Sequence, residues 1–218
     1  MDAQRKAEAL FAEIRAQSLI RPWAKESEIN ESVYAPAGSM YGISRYWHER
    51  ILRAGRNTLA PYDENPPDLT VGEDDIVFLD FGAVFEEGEA DFGRTYVVGN
   101  DPLKHKLRRD IEEAFASGKQ YFHEYSEITA AEPYAHAQQL AERAGWEHGG
   151  PIAGHRIGKF PHEKISGDKV TLYVHSKNHN RMRLPDASGR KRHWIFEIHF
   201  ADRPGEIGGF YKELLTIE

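Results

Sequence analysis

The chain has 218 residues, of which 28 are lysine or arginine and 35 are aspartate or glutamate, for a formal net charge of −7. This excess of acid argues against nucleic acid or an anionic membrane as the partner, because both bind basic protein faces. The chain contains no cysteine, so disulfides, thiolate nucleophiles and cysteine-ligated metals are excluded. Any metal ion must therefore be held by carboxylates and imidazoles.

The first part of the chain predicts one helix followed by irregular structure. Residues 1–20 predict an amphipathic helix, and their charges leave no apolar signal core, which predicts a cytoplasmic protein. The apolar face of this helix consists of Ala7, Leu10, Phe11 and Ile14. Residues 22–46 are expected to be irregular because Pro36 and Gly38 interrupt any periodicity. Residues 46–55, "YWHERILRAG", predict a short helix or turn.

The rest of the chain predicts a hairpin, two helices and further strands. Residues 74–99 hold two apolar segments around "EEGE", which predicts a β-hairpin. Residues 100–124 and 129–146 predict helices, the second opened by a capping box and closed by Gly145. The segments "TLYVHS", "HWIFEIHF" and "FYKELLTIE" predict short strands. This order indicates an α+β fold in a single domain over residues 1–218.

Two aspartates of the predicted hairpin are candidates for a shared ion. Asp80 lies inside the apolar run "IVFLDFG", where an unpaired carboxylate is costly. If the turn falls near residues 85–88, Gly82 lies opposite Asp91, and Asp80 is then its diagonal neighbour on the same face. A slip of one residue would separate the two carboxylates. The alternative is structural: Asp91 serves as a turn residue, and either aspartate pairs with Arg94.

Further carboxylates and histidines have the same character. Glu197 in "HWIFEIHF" and Glu213 in "FYKELL" lie in strand-like apolar runs. The segment "GHRIGKFPHE" places His155 after a glycine and His162 seven residues later. Lysines and arginines of these segments cannot easily neutralise four such acids, whereas divalent cations can. Two ions about 3.5–4 Å apart can share carboxylates and hold a hydroxide between them.

In these motifs and their order the chain resembles the pita-bread metallopeptidases: methionine aminopeptidase, aminopeptidase P, prolidase and creatinase. The resemblance implies the pita-bread fold, an antiparallel sheet with helices on its outer face. It implies two divalent ions, of manganese, iron, cobalt or zinc, with Asp91 and Glu213 bridging them. The complete set of implied metal ligands is Asp80, Asp91, His155, Glu197 and Glu213. The implied catalytic residues are His48, His162 and Glu197, the last as acceptor of the water proton.

The resemblance implies a dinuclear hydrolase that uses a metal-bridging hydroxide on a short peptide or small amide. An aminopeptidase or dipeptidase is expected, with the Xaa-Pro type among the candidates. The alternatives are a creatinase-like hydrolase of a small-metabolite C–N bond and a metal-free binding module. Ile198 follows Glu197 where methionine-specific enzymes commonly have proline, and the extra N-terminal domain of aminopeptidase P and prolidase is not expected. A homodimer is one expected assembly.

Overall fold

The computed structural model describes residues 2–158, 169–186 and 188–216. Within them the helices are α1 (Asp2–Ala16), α2 (Glu26–Ser32), α3 (Tyr34–Tyr41), α4 (Pro102–Glu124), α5 (Ala131–Ala144) and α6 (Lys169–Leu172), with a 3-10 turn at Gly55–Leu59. The strands are β1 (Ile51–Ala54), β2 (Asp75–Phe81), β3 (Phe92–Val98), β4 (Glu147–His148), β5 (Gly154–Ile157), β6 (His193–Asp202) and β7 (Ile207–Leu214). No helix in these ranges is both long and apolar enough to cross a bilayer.

The strands form one sheet in the order β1-β2-β3-β7-β6-β4, with β5 also paired to β6. Each strand pairing found is antiparallel. The predicted α+β class is therefore confirmed. Because side chains alternate along each strand, the sheet has two chemically distinct faces.

The long helices pack against one face, which we call the outer face. At the β2–β3 end, Phe11 of α1 contacts the rings of Phe81 and Phe92, with centroid distances of 5.5 and 4.8 Å. At the β6–β7 end, Phe115 of α4 lies 5.7 Å from Phe196. The apolar residues predicted on the N-terminal helix are buried in this layer, which confirms that prediction. The opposite, inner face carries polar side chains together with the Phe78 and Phe210 rings, whose centroids lie 5.4 Å apart.

Three local predictions are wrong. Residues 22–46 contain the short helices α2 and α3, which the sheet and α1 stabilise from outside the segment. Residues 51–54 form β1 because they pair with β2, a contact distant in sequence that local pattern does not reveal. The segment 171–176 ends a short helix and contributes an isolated bridge at Tyr173 instead of a strand.

The hairpin follows the register expected from its turn. Asp80 lies opposite Gly93, and Phe81 lies opposite Phe92. The same register, extended by one residue, puts Gly82 opposite Asp91. Gly82 is needed for space, since a Cβ there would lie 2.5 Å from His48 Cδ2 and 2.5 Å from Trp47 Nε1. Gly82 therefore makes room for the imidazole of His48 and the indole of Trp47.

We expect Gly82→Ala to destabilise the protein by about 1–3 kcal/mol, because the added methyl would overlap the rings of His48 and Trp47. Urea unfolding monitored by circular dichroism would measure this change. The matched control is Gly38→Ala in α3, where nothing lies within 4 Å of the added methyl. That change should stabilise the helix by about 0.5–1 kcal/mol. Equal effects of the two substitutions would contradict the packing assigned to Gly82.

Candidate metal centre

The inner face of the sheet gathers three carboxylates that are distant in sequence. Asp80 comes from β2, Asp91 precedes β3, and Glu197 comes from β6. Asp91 is fully buried, Asp80 is 5% exposed, and the Glu197 side chain is 12% exposed. We call these three residues the acid cluster. Their side chains share a face because the β2–β3 and β6–β7 registers bring them to the same side of the sheet.

Two histidines point their Nε2 atoms at Asp91. His155 on β5 lies 2.8 Å from Asp91 Oδ2, and His48, in the loop before β1, lies 3.4 Å from Asp91 Oδ1. In each ring Nδ1 contacts the carbonyl of the following residue, at 3.1 Å for His155 and 2.5 Å for His48. Because Nδ1–H donates to these carbonyls, Nε2 can donate to the Asp91 carboxylate when the ring is protonated, or bind a metal ion when the ring is neutral, as metal-ligating histidines commonly do.

A lysine that sequence reasoning missed also lies in the cluster. Lys212 Nζ is 2.8 Å from Asp91 Oδ1, 3.5 Å from Asp80 Oδ1 and 3.7 Å from Glu197 Oε2. The side chain is only 7% exposed. The sequence does contain a signal for this residue, namely a lysine inside the apolar run "GFYKELL". Because side chains alternate along a strand, the lysine and the adjacent glutamate must face opposite sides of the sheet.

The three carboxylates of the site outnumber its one fixed cation, Lys212. Burial raises the pKa of Asp80 and of Glu197. Burial also acts to raise the pKa of Asp91, but Lys212 and the histidines outweigh it and hold this pKa well below its usual range. Burial opposes the ammonium of Lys212, yet the three carboxylates outweigh it and raise the pKa of the lysine. One carboxylate is thus compensated, and two are driven toward protonation.

The histidines respond to the same charges. Burial lowers the pKa of His48 and His155, but hydrogen bonding and attraction to Asp91 outweigh it, so both pKa values are raised. His199, two residues beyond Glu197, is different. Burial lowers the pKa of His199 to about 4, and its Nε2–H donates to the Thr58 carbonyl at 3.1 Å. We therefore describe His199 as a structural contact.

The remaining candidate residues lie elsewhere. Glu213 projects to the outer face, where Arg94 donates to its carboxylate and the Tyr211 hydroxyl donates to it at 3.3 Å. The structure therefore does not bring Glu213 to the acid cluster, because Lys212 is the residue opposite Glu197. His162 lies outside the described residues, so its role stays a prediction.

The donors present suit a divalent ion. Oxygens of Asp80 and Asp91 and Nε2 of His48 lie within 4.8 Å of one another, a spacing at which both acids can contact one ion. Asp80 Oδ1 and His48 Nε2 are buried, and among the residues that the structure describes they make only long ion-pair contacts, to Lys212 Nζ at 3.5 Å and to Asp91 Oδ1 at 3.4 Å. Buried polar atoms normally have partners, and a shared cation would provide one. Carboxylate and imidazole donors suit manganese, iron(II), cobalt or zinc.

An open pocket adjoins this centre. Its volume is about 810 Å³, and its walls include Tyr34, Tyr46, Trp47, His48, Arg50 and Glu89. His48 belongs both to the pocket wall and to the group around Asp91. His48 therefore connects the pocket wall to the acid cluster.

Buried carboxylates and imidazoles converge on one face of an antiparallel sheet, and this is the donor set that metal-dependent hydrolases use for divalent ions. Residues 1–186 match metallopeptidase family M24, and the chain belongs to this family of metallohydrolases. A comparison with curated proteins finds no match.

Solved structures with the pita-bread fold are similar to this chain, which confirms the expected fold. A prolidase from Thermococcus sibiricus is 21% identical with a TM-score of 0.73, and the similarity covers 98% of this chain and 55% of the prolidase. An X-Pro aminopeptidase from Thermotoga maritima MSB8 is 20% identical with a TM-score of 0.75, and the similarity covers 100% of this chain and 59% of the aminopeptidase. A methionine aminopeptidase from Thermotoga maritima is 16% identical with a TM-score of 0.72, covering 99% and 94%. The chain spans little more than half the length of the prolidase and of a Pyrococcus horikoshii dipeptidase.

Proposed function

We propose that this chain is a metal-dependent aminopeptidase or dipeptidase that acts on short peptides, with residues 1–218 as one catalytic domain. The observation that carries the proposal is the buried acid cluster with His48 and His155 directed at Asp91. A structural ion pair needs one acid and one base, whereas this centre holds more carboxylates than its lysine can compensate. Family membership supports the same chemistry.

The residues divide into those that would hold the metal and those that would handle the substrate. Asp80 and Asp91 are proposed ligands because an oxygen of each lies within 4.8 Å of the other, and His155 is proposed because its Nε2 lies 2.8 Å from Asp91 Oδ2. A bound divalent ion supplies a Lewis acid and lowers the pKa of water. Glu197 is a proposed ligand and the proposed proton carrier, accepting a proton from water and passing it to the leaving nitrogen.

Two further residues are placed to bind the substrate. His48 lines the pocket, and in its protonated form, which its raised pKa favours, the Nε2–H would donate to the oxyanion as it forms. Arg50 also lines the pocket, and its guanidinium can pair with a free substrate carboxylate. A dipeptide presents such a carboxylate near the bond that is cut. This favours a dipeptidase, for which Xaa-Pro dipeptides are the first substrates to test.

We expect the purified chain to bind a divalent ion and to hydrolyse at least one dipeptide with manganese, iron(II), cobalt or zinc. Titration calorimetry with each metal would measure binding, and a panel of dipeptides, Xaa-Pro dipeptides and small amides would measure turnover. Each dipeptide is paired with its C-terminal amide, which lacks the carboxylate that Arg50 would bind. The acids should be turned over faster than the amides. Metal binding without hydrolysis of any panel member would contradict the peptidase proposal.

The homodimer expected from the resemblance stays a prediction, which light scattering of the purified chain would test. A creatinase-like activity is covered by the small amides in the panel. Turnover of those amides alone would favour that alternative over a dipeptidase.

A further inference from the structure

The β6–β7 register places Lys212 on the inner face, in the position opposite Glu197. The pairing runs from Ile195 with Leu214 through Phe196 with Glu213 to Glu197 with Lys212. On its other side Lys212 lies opposite Gly93, which in turn lies opposite Asp80. The four residues in one row across β2, β3, β7 and β6 are therefore Asp80, Gly93, Lys212 and Glu197. Gly93 thus lies beside Lys212.

Gly93 accommodates the stem of this lysine. A Cβ at Gly93 would lie 3.1 Å from Lys212 Cβ and 2.7 Å from the Phe210 ring. Any larger residue would push the lysine or the phenylalanine out of its position. The ammonium at the end of the stem is then held by the three carboxylates of the acid cluster, at 2.8, 3.5 and 3.7 Å.

The neighbouring acid is held equally firmly on the outer face. Arg94 donates to the Glu213 carboxylate and also to the Lys212 carbonyl, at 3.1 Å for the latter. The Arg94 guanidinium lies 3.7 Å from the ring centroids of both Phe92 and Tyr211. Bringing Glu213 inward would break this ion pair and force Lys212 into the same aromatic cage. The two side chains can exchange faces only through a one-residue shift of the strand.

The charge of the centre then limits how many metal ions it can hold. The ammonium of Lys212 compensates one of the three buried carboxylates, so two negative charges remain when the imidazoles are neutral. A single divalent ion neutralises them. A second would bring an excess of positive charge into a buried site beside a fixed ammonium, and buried charge without a partner costs several kcal/mol.

We propose that the Lys212 ammonium is a built-in cation in the position of one of the two metal ions, so that the centre holds about one divalent ion per chain. This inference rests on the proposed metal-dependent function and deepens it. It replaces the five-ligand, two-ion arrangement expected from the sequence by one in which Lys212 takes the place of Glu213.

The test is the manganese stoichiometry of the full chain, measured by titration calorimetry and by elemental analysis after dialysis. The wild type and Lys212→Arg should bind about one ion, and Lys212→Glu should bind about two because it adds a fourth acid. Glu213→Gln should leave the number unchanged. Lys212→Met removes the charge without adding an acid, and should tighten binding of the first ion by about tenfold or more. Thermal melts would verify that each variant is folded.

The outcomes separate this inference from the proposed function. Two ions on the wild type, with one lost in Glu213→Gln, would overturn the role of Lys212 and leave the hydrolase proposal intact. Unchanged affinity in folded Lys212→Met would overturn it as well. One ion on the wild type without hydrolysis of any substrate would support the inference and overturn the function. A wild type that binds no ion would overturn both.

Discussion

Replacing Asp91 with asparagine is expected to destabilise the metal-free protein by about 3–5 kcal/mol, the usual cost of removing one partner from a buried ion pair. Asp91 is fully buried and contacts Lys212 and His155, each at 2.8 Å. Without its charge, the ammonium of Lys212 is left with Asp80 and Glu197 at 3.5 and 3.7 Å. Urea unfolding at neutral pH in the presence of chelator would measure the loss.

A double-mutant cycle identifies the cause. If the loss of stability comes from the Lys212 ammonium left without its closest carboxylate, adding Lys212→Met to Asp91→Asn should restore part of the lost stability. The matched control is Asp63→Asn, an exposed aspartate in the loop before β2, which should change stability by about 0.5 kcal/mol or less. Strictly additive effects at Asp91 and Lys212 would show that the two charges do not stabilise each other.

The pH dependence has a definite sign. Because the pKa of Asp91 is held below its unfolded value, its contribution is present above about pH 3.9 and is lost as pH falls through the folded pKa. The pKa values of His48 and His155 are raised, so their contribution is present below about pH 6.5 and is lost as pH rises through their folded values. The stability difference between wild type and Asp91→Asn should therefore grow from pH 2 to pH 5 and decline above neutrality.

The hairpin shows how much of the site the sequence could predict. A turn near residues 85–88 gave one of the registers that the sequence allowed, and the structure has this register, with Asp80 and Asp91 on one face. The strand glutamate in "HWIFEIHF" could be predicted for the same reason, since its neighbours are apolar on both sides. In both cases local pattern and long-range pairing agree.

Which side chains of β7 face the inner side of the sheet could not be predicted in this way. Lys212 and Glu213 are adjacent, and both lie in an apolar segment, so composition does not decide which one faces inward. The decision comes from the connection after Asp202, which sets the pairing of β7 with β6, and from Arg94, which holds Glu213 on the outer face. β1 was not predicted for a related reason, because its strand pairing is with β2, which is distant in sequence.

The last prediction separates His48 from His155, whose Nε2 atoms both face Asp91. His48 lies in the wall of the open pocket, so we expect it to contact substrate and transition state. His48→Ala should keep its metal while kcat falls by about 10²–10³-fold, the usual loss of one oxyanion donor. KM should change less, since the interaction strengthens as charge develops.

Replacing His155 should have a different effect. Its Nε2 meets Asp91 at 2.8 Å with Nδ1 held by a backbone carbonyl, the orientation of a ligand. His155→Ala should lower metal affinity by about tenfold or more, and excess metal should restore part of the activity. Titration calorimetry with manganese and steady-state kinetics on the best substrate of the panel would measure both variants. His123→Ala, an exposed histidine of α4, serves as the control. If His48→Ala loses its metal and His155→Ala keeps it, the two roles are exchanged, and His48 completes an ion site with Asp80 and Asp91.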